Sequence, residues 1–267
     1  MRRRLALLLL LGLAACQTAR PPFHGPDILY VATPAQVGVE MLKVAGVTAT
    51  DVVYDLGSGD GRLVIAAARD FGARGVGVEI DAPLVQESRD AAVRAGVSDR
   101  ATFLWQDLFT TDISTATVVT LYLRDDVNLR LRPKLLRELH PGTRVVSHDF
   151  GMGEWQPQRT FRARGPDREH TIYFWLVPAN AEGTWDVTLH TPASAAHEAT
   201  LRLTQRLTGL EGELQTADGR TPISGGRVAG AEITFTAGDS VWRGRVAGDT
   251  AAGRAGDTQE WTARRRR

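Results

Sequence analysis

The stretch 55–61, D-L-G-S-G-D-G, holds the residues most able to do chemistry, because it places an acid before three alternating glycines. The apolar run 52–54 precedes it, and an alanine-rich stretch with helical periodicity follows from Arg62. A tight turn from a strand into a helix needs backbone angles that glycine reaches cheaply, and the missing Cβ lets a ligand approach the peptide planes. The stretch therefore predicts a strand, a ligand-binding loop and a helix.

Two acids indicate which ligand this loop would hold. A second apolar run, 75–78, ends in Glu79, which lies 20 residues after Gly59, the spacing at which a carboxylate reaches the hydroxyls of a ribose. Asp55 precedes the first glycine, where it would repel a pyrophosphate but attract a cationic group. S-adenosylmethionine, with a sulfonium, an amino group and a ribose, has the required properties. The alternative is a glycine-rich turn that binds nothing.

Length and composition set the outer limits. The 267 residues, 43% of them apolar, suffice for one large and one small domain with packed cores. With 32 basic and 31 acidic residues the net charge is +1, so we expect no nucleic-acid partner. The arginines at 264–267 form a basic tail, which we expect to be a frayed, solvated terminus; contact with an anionic surface is the alternative.

The N-terminus has the pattern of a targeting segment. A charged start, an apolar stretch and small residues predict a signal peptide at 1–15 and a tether at 16–27. The run Leu13-Ala-Ala-Cys16 resembles a bacterial lipobox, which implies a lipidated Cys16 and a membrane-anchored lipoprotein of the cell envelope. A cytoplasmic protein with an uncleaved N-terminus is the alternative. Because Cys16 is the only cysteine, we expect neither a disulfide nor a thiolate metal site.

The flanking segments predict the elements that position the loop. Thr33 before Pro34 is typical of a helix N-cap, and the element 28–46, which contains that helix, either covers the bound ligand or packs on a sheet edge. A helix is predicted at 83–96 and a strand at 101–105. Asp107 follows that strand, where it can accept the adenine amino group or cap the next turn.

Further strands are predicted at 117–123 and 143–150, with a helix at 129–139 between them. The segments 158–164 and 170–177 predict a closing antiparallel hairpin. The fold class is therefore α/β, a Rossmann-like sheet with helices on both faces. After residue 178, period-2 alternation broken by turn residues predicts a small all-β domain at 179–263, either barrel or sandwich, whose role the sequence does not choose.

Several motifs together resemble the class I S-adenosylmethionine-dependent methyltransferases. They are the run 55–68, the helix motif V-E-I-x-x-x-L-x-x-x-S-R from Val78, the stretch 135–139, and Arg144-Val-Val followed by Trp155-x-Pro157. More narrowly, they are similar to the lysine methyltransferases of the ATP synthase c-subunit and adenine nucleotide translocase type. The resemblance covers residues 28–178. It implies that Asp55, Gly57, Gly59 and Gly61 line the methionine half of the cofactor, Glu79 the ribose and Asp107 the adenine. Thr33 and Ser58 are further candidate cofactor-binding residues.

The resemblance implies methyl transfer to a nucleophile, foremost a protein lysine amine. That amine must lose a proton, since its ordinary pKa is about 10.4. Tyr122, Asp125 and Asp126 are the candidate catalytic acceptors, although both acids could instead cap the next helix. His148 and Asp149 could also reach the crevice. A second hypothesis is a non-enzymatic envelope lipoprotein that uses the same fold as a small-ligand binding module.

Overall fold

The computed structural model describes residues 30–191 and 194–266. The predicted signal peptide, the tether and Cys16 lie outside these residues, so lipidation and envelope attachment stay predictions. Within the described part, no helix combines the length and the apolar character needed to cross a bilayer.

The first part of the chain alternates strands and helices. The elements in chain order are α1 (Ala35–Val44), β1 (Val52–Leu56), α2 (Arg62–Phe71), β2 (Arg74–Glu79), α3 (Ala82–Arg94), β3 (Ala101–Trp105), β4 (Val118–Leu121), α4 (Asp125–Glu138), β5 (Arg144–His148), β6 (Arg159–Arg164) and β7 (Glu169–Leu176). They form one sheet in the order β3-β2-β1-β4-β5-β7-β6, in which the first five strands are parallel and β7 pairs antiparallel with both β5 and β6. The predicted Rossmann-like sheet and its closing hairpin are confirmed.

Both faces of this sheet are covered, because the buried strands carry apolar side chains on both sides. On one face, Tyr54 and Leu56 of β1 pack with residues of α4, among them Leu131 and Leu135. On the other face, Val53 packs with residues of α1 and α2. The alternation along β1 therefore sends successive side chains into separate cores and leaves the carboxyl end of the strand for the loop.

Two helices begin elsewhere than predicted. Thr33 does not cap α1, whose N-cap is Pro34 with no side-chain hydrogen bond. The Thr33 hydroxyl lies instead 3.1 Å from Nδ1 of His148, a contact with a residue far along the chain. Helix α4 begins at Asp125, four residues before the predicted start, so Asp125 and Asp126 lie in its first turn, where acids are stabilising.

Gly61 shows how tightly the loop is packed. It lies at φ +77°, and a Cβ there would be 2.5 Å from the Phe103 ring. Gly96 has a similar φ of +68°, but a Cβ there would meet nothing within 4 Å. An alanine at Gly61 would therefore meet both backbone strain and a steric clash, whereas an alanine at Gly96 would meet backbone strain alone.

We expect Gly61→Ala to lower the free energy of unfolding by about 3 kcal/mol, the sum of backbone strain and the clash with Phe103. Gly96→Ala should cost only about 1 kcal/mol, since strain alone remains. Urea unfolding followed by the helical circular dichroism signal measures both. Equal losses in the two variants would show that the contact with Phe103 does not limit the loop.

The second part of the chain is all β. Its strands are β8 (Gly183–Thr191), β9 (Ser194–Arg206), β10 (Gly209–Thr216), β11 (Gly219–Ala229), β12 (Glu232–Ala237), β13 (Ser240–Ala247), β14 (Thr250–Ala255) and β15 (Gln259–Arg265). They close into a barrel because β15 pairs with β8. Trp185, Phe235, Trp242 and Trp261 fill its interior. The predicted all-β region is confirmed, and of the two architectures the structure has the barrel.

The basic tail differs from expectation. Arg264 and Arg265 belong to β15, and the Arg265 guanidinium lies 4.4 Å from the centre of the Trp185 ring. Arg266 forms an ion pair with Asp186. The arginines at 264–266 are thus held by the barrel rather than frayed, while residue 267 lies outside the described residues.

The barrel joins the sheet at the end opposite to the glycine loop. The backbone N–H of Ala179 donates to the carbonyl of Gly230, and Gly230 lies against Gly142, which precedes β5. Since the amino end of β5 is remote from the carboxyl ends of the parallel strands, the barrel does not cover the edge where ligands bind.

Candidate active site

The glycine loop is held against β2 by its own backbone. The N–H groups of Gly57 and Ser58 donate to the carbonyl of Val78, at 2.8 and 3.1 Å. The N–H of Gly59 donates to Oε2 of Glu79 at 2.9 Å. The loop and the acid that follows the second strand are therefore one unit, as their spacing in the sequence predicts.

Glu79 is a buried carboxylate whose orientation is fixed. Its side chain is 8% exposed, and Oε1 accepts the N–H groups of Ile80 and Asp81 at 2.8 and 2.9 Å. Each carboxylate oxygen can accept more than one hydrogen bond, so both keep capacity for the hydroxyls of a ligand. This geometry fits a ribose.

Asp55 lies at the carboxyl half of β1 and is also buried, at 6% exposure. Burial raises its pKa to about 7, and the nearby charges of Glu79 and Asp60 act in the same direction. The hydroxyl of Thr120 donates to Oδ1 at 2.7 Å and opposes this shift. Such a carboxyl favours a cationic ligand, because a bound positive charge offsets the cost of ionising it.

A cavity of about 460 Å³ opens at the carboxyl ends of the strands, within the range of small-molecule sites. Glu79, Asp81 and Asp107 line one end of it, and Tyr122, Leu123, Val127 and Phe150 line the other. A smaller recess beside it is lined by Thr33, Asp55 and Ser58.

Two buried polar atoms test whether a cofactor fits. Ser58 Oγ and Asp81 Oδ1 have no hydrogen-bond partner among the described residues, although each lies at the cavity or its recess. Buried polar atoms without partners are rare, and these two oxygens add acceptors at the concave site that the described residues leave unsatisfied. The arrangement of these oxygens with Asp55 and Glu79 suits a ligand that carries cationic and hydroxyl groups.

The position of Asp107 is compatible with both of its predicted roles. Its Oδ1 accepts the N–H of Phe109 at 2.8 Å, which is the capping alternative. The residue also lines the cavity beside Leu108 and Phe109, as the adenine interpretation requires. Capping fixes the carboxylate in place without removing it from the site.

Tyr30 is a site residue that sequence analysis did not name. Its ring lies on the glycine loop so closely that a Cβ on Gly59 would be 2.1 Å away. It lines both the cavity and the recess. The expectation that the segment before α1 covers the ligand was the only signal available in the sequence.

The three candidate catalytic residues lie in different places, and only one of them lines the cavity. Tyr122 lines the cavity. Asp125 accepts the N–H of Gly151 at 3.1 Å, and Asp126 pairs with Arg124 on an exposed surface. Neither acid lines the cavity, so their role as proton acceptors stays a prediction that their position does not support. The capping alternative is not met either, because the N-cap of α4 is Arg124 and has no side-chain hydrogen bond, while both acids lie within the first turn.

His148 and Asp149 lie behind Tyr122 rather than in the cavity. The His148 ring stacks on Tyr122 with centroids 3.9 Å apart. Burial lowers the pKa of His148 to about 4, so its imidazole is neutral at neutral pH. Although burial of Asp149 opposes ionisation, hydrogen bonds from Arg168 and the N–H of Thr171 hold its pKa at about 2.

Comparison with known proteins identifies this arrangement. The family model of the ANTKMT methyltransferase domain matches residues 55–159. A protein-lysine N-methyltransferase of Saccharolobus islandicus is 44% identical over 153 residues, which are 57% of this chain and 95% of that protein. The chain belongs to this family. It is a class I S-adenosylmethionine-dependent methyltransferase of the ATP synthase c-subunit lysine methyltransferase group.

Two further similarities support the assignment of this methyltransferase. The ATP synthase c-subunit lysine N-methyltransferase of Xenopus laevis is 35% identical over 56% of this chain and 67% of that protein. The crystal structure of an RNA methyltransferase from Salinibacter ruber with S-adenosyl-L-homocysteine is 56% identical, has a TM-score of 0.54, and covers 56% of this chain and 95% of that chain. The predicted cofactor, S-adenosylmethionine, is confirmed, and the alternative of a non-enzymatic binding module finds no support.

The methyltransferase carries its barrel as an addition. Because 57% of this chain accounts for 95% of the Saccharolobus relative, that relative has no room for a domain of this size. The residues that the family model matches also end before β8. Among the described residues, none that lines the cavity or its recess belongs to the barrel.

Proposed function

We propose that this methyltransferase transfers the methyl group of S-adenosylmethionine to the Nζ amine of a lysine in a protein substrate. The names of the Saccharolobus and Xenopus relatives support a lysine acceptor. The observation that carries the proposal is the continuity of the cavity, which joins the cofactor residue Glu79 to an apolar end at Leu123, Val127 and Phe150.

The apolar end of the cavity suits a lysine side chain. Its four-carbon stem can pack on Leu123 and Val127 while its nitrogen reaches the middle of the cavity. Tyr122 and Phe150 stand 6.0 Å apart at the same end and offer aromatic faces to the amine. Removal from water also lowers the pKa of the amine and makes its neutral form more accessible.

When bound, S-adenosylmethionine supplies an electrophilic methyl group on a sulfonium. The lysine nitrogen would form a new C–N bond as the C–S bond breaks, so the task of the protein's own residues would be to align the amine with the methyl group, with no covalent intermediate. Asp55 would place negative charge near the cationic half of the cofactor, and Glu79 would accept hydrogen bonds from the hydroxyls of its ribose. The glycine loop is hydrogen-bonded to β2 and so holds these two carboxylates in fixed positions relative to each other.

Tyr122 orients the amine rather than acting as its base. Burial raises the pKa of the phenol, and the charge of Asp149 raises it further. The hydroxyl therefore keeps its proton at neutral pH, but its oxygen can accept a hydrogen bond from the lysine nitrogen. The proton leaves to water at the open mouth of the cavity.

A labelling experiment tests the proposed acceptor. The purified chain is incubated with tritiated S-adenosylmethionine and a cell extract, separated into protein and RNA, with Glu79→Gln as the inactive control. We expect label in protein, recovered as methyl-lysine after hydrolysis, and we expect its loss when lysine amines of the extract are acetylated beforehand. Label in RNA, or label in protein that survives acetylation, would contradict the lysine proposal.

A further inference from the structure

A cluster of three side chains lies behind the active site: His148, the last residue of β5, Asp149, which follows it, and His170 on β7. Antiparallel pairing of the two strands, in which His148 stands opposite Ile172, brings the second histidine to the first. The side chains of His148 and His170 are 0% and 3% exposed, and that of Asp149 is 15% exposed. The cluster is separate from the cofactor cavity and has no part in methyl transfer as described above.

Three atoms of this cluster that are able to bind a metal face one another. Nε2 of His148 lies 2.9 Å from Nδ1 of His170 and 3.2 Å from Oδ2 of Asp149. The third side, from Nδ1 of His170 to Oδ2 of Asp149, is 3.4 Å. Ligand atoms at about 2.1 Å from a tetrahedral cation are about 3.4 Å from one another, and those around an octahedral cation about 3.0 Å. The triangle has the size of one face of a metal site.

We propose that His148, Asp149 and His170 bind a divalent transition-metal cation through these three atoms. Two imidazoles and one carboxylate favour zinc, iron, manganese or cobalt over calcium and magnesium, which prefer oxygen ligands. In the metal-free protein, a proton on Nε2 of His148 takes the place of the cation and bridges to Nδ1 of His170.

The outer atoms of the same residues are held as metal ligands usually are. Nε2 of His170 lies 3.2 Å from Oδ1 of Asp167, so the carboxylate accepts its N–H and leaves the lone pair of Nδ1 facing the triangle. Nδ1 of His148 has the Thr33 hydroxyl as its partner at 3.1 Å. Oδ1 of Asp149 accepts the N–H of Thr171 at 2.8 Å, which directs Oδ2 inward.

The backbone supports a constrained site. Asp149 adopts φ +60°, a left-handed conformation that residues other than glycine seldom take and that occurs preferentially at functional sites. The strain places the carboxylate directly beside the ring of its own neighbour, His148. An unconstrained loop would relieve it.

Arg168 would compete with the proposed cation for Asp149. Its guanidinium donates to Oδ2 of Asp149, the same oxygen that would bind the cation. The side chain is 51% exposed and also lies 3.8 Å from Asp167, so it has another carboxylate to pair with. Arg168 and the cation therefore compete for Asp149, a relation that a hydrogen-bonded cluster without metal does not predict.

A bound cation would fix the position of Tyr122 at the apolar end of the cavity, where the substrate lysine is proposed to bind. The His148 ring stacks on Tyr122, and its Nδ1 meets Thr33 in the segment that leads into α1. Holding the imidazole in one orientation therefore holds the tyrosine that lines the cavity. The cation has a structural role in this proposal and takes no part in bond formation.

The test uses the full chain after treatment with a chelator. Cobalt(II) is titrated in and followed by its visible absorption, and zinc is titrated by calorimetry in the absence of cofactor. We expect one cation per chain, displacement of cobalt by zinc, and an affinity at least about 100-fold lower in Asp149→Asn and His170→Ala. His140→Ala, a change at an exposed histidine of the same domain, should leave the affinity unchanged.

A second variant keeps the test decisive if the ligand variants unfold. Arg168→Ala removes the competing guanidinium and should tighten cobalt binding by about tenfold, with the fold preserved because the residue is half exposed. Failure of the folded wild-type chain to bind cobalt or zinc would overturn the proposal. Binding that is unchanged in both Asp149→Asn and Arg168→Ala would also overturn it.

Discussion

Replacement of Glu79 by glutamine is expected to weaken the binding of S-adenosylmethionine by at least about 100-fold, because two hydrogen bonds from ribose hydroxyls to a charged acceptor are weakened. The amide would also direct N–H groups at the backbone donors of Gly59, Ile80 or Asp81, which the carboxylate now satisfies. Calorimetric titration of S-adenosylmethionine and S-adenosylhomocysteine measures the loss.

The control for this variant is Glu87→Gln, which removes the same charge from an exposed position on α3. Its affinity should match that of the wild type, and circular dichroism should show that both variants keep their helices. Cofactor binding by Glu79→Gln within about threefold of the wild type would contradict the assigned role of the carboxylate.

The affinity for S-adenosylmethionine is expected to rise with pH and to level off above about pH 7, the pKa to which burial raises Asp55. Below that value the buried carboxyl must lose its proton before it can attract a cation, so affinity changes by up to about tenfold per pH unit. The α-amino group of the cofactor has an ordinary pKa of about 7.7–8.0, so it is mostly charged below about pH 7, where Asp55 titrates. Calorimetry in buffers of different ionisation enthalpy should detect proton release on binding.

The matched variant is Asp55→Asn, whose affinity should be low and independent of pH. Stability provides a second measure, since a raised pKa in the folded state means that the contribution of Asp55 is present below about pH 4 and lost as pH rises through about 7. Relative to Asp55→Asn, the wild type should lose up to about 4 kcal/mol over that range. A wild-type affinity that stays constant from about pH 5.5 to 7.5 would contradict the raised pKa.

The cofactor half of the site could be predicted from the sequence because its parts are local. The glycines, Asp55 and Glu79 are joined by one strand, loop and helix, and the hydrogen bond from Gly59 to Glu79 follows from that unit. The residues that line the apolar end of the cavity were harder to predict, because their positions depend on contacts over long sequence separations. The pairing of His148 with His170 requires the register of an antiparallel hairpin, which no local pattern specifies.

The prediction of the helix starts was wrong, and the choice between barrel and sandwich stayed open, for similar reasons. Thr33 has the residue type of an N-cap, but a buried histidine provides a partner and the backbone of Pro34 begins the helix without it. Alternation along the strands indicated an all-β region, yet closure depends on whether the first and last strands pair, as β8 and β15 do. Periodicity describes each strand and contains no information about that pairing.

The separation of the two hydrophobic cores has a consequence for thermodynamic measurements. The residues buried in the barrel form one cluster, and those of the sheet and helices form others, with Leu207 as a partly buried residue of the barrel region packed on the sheet side. We expect the barrel and the sheet with its helices to unfold as distinct cooperative units. Because a ligand stabilises only the unit that binds it, S-adenosylmethionine raises the midpoint of one transition and leaves the other in place. We therefore expect two melting transitions rather than one, with only that of the sheet part shifted by the cofactor.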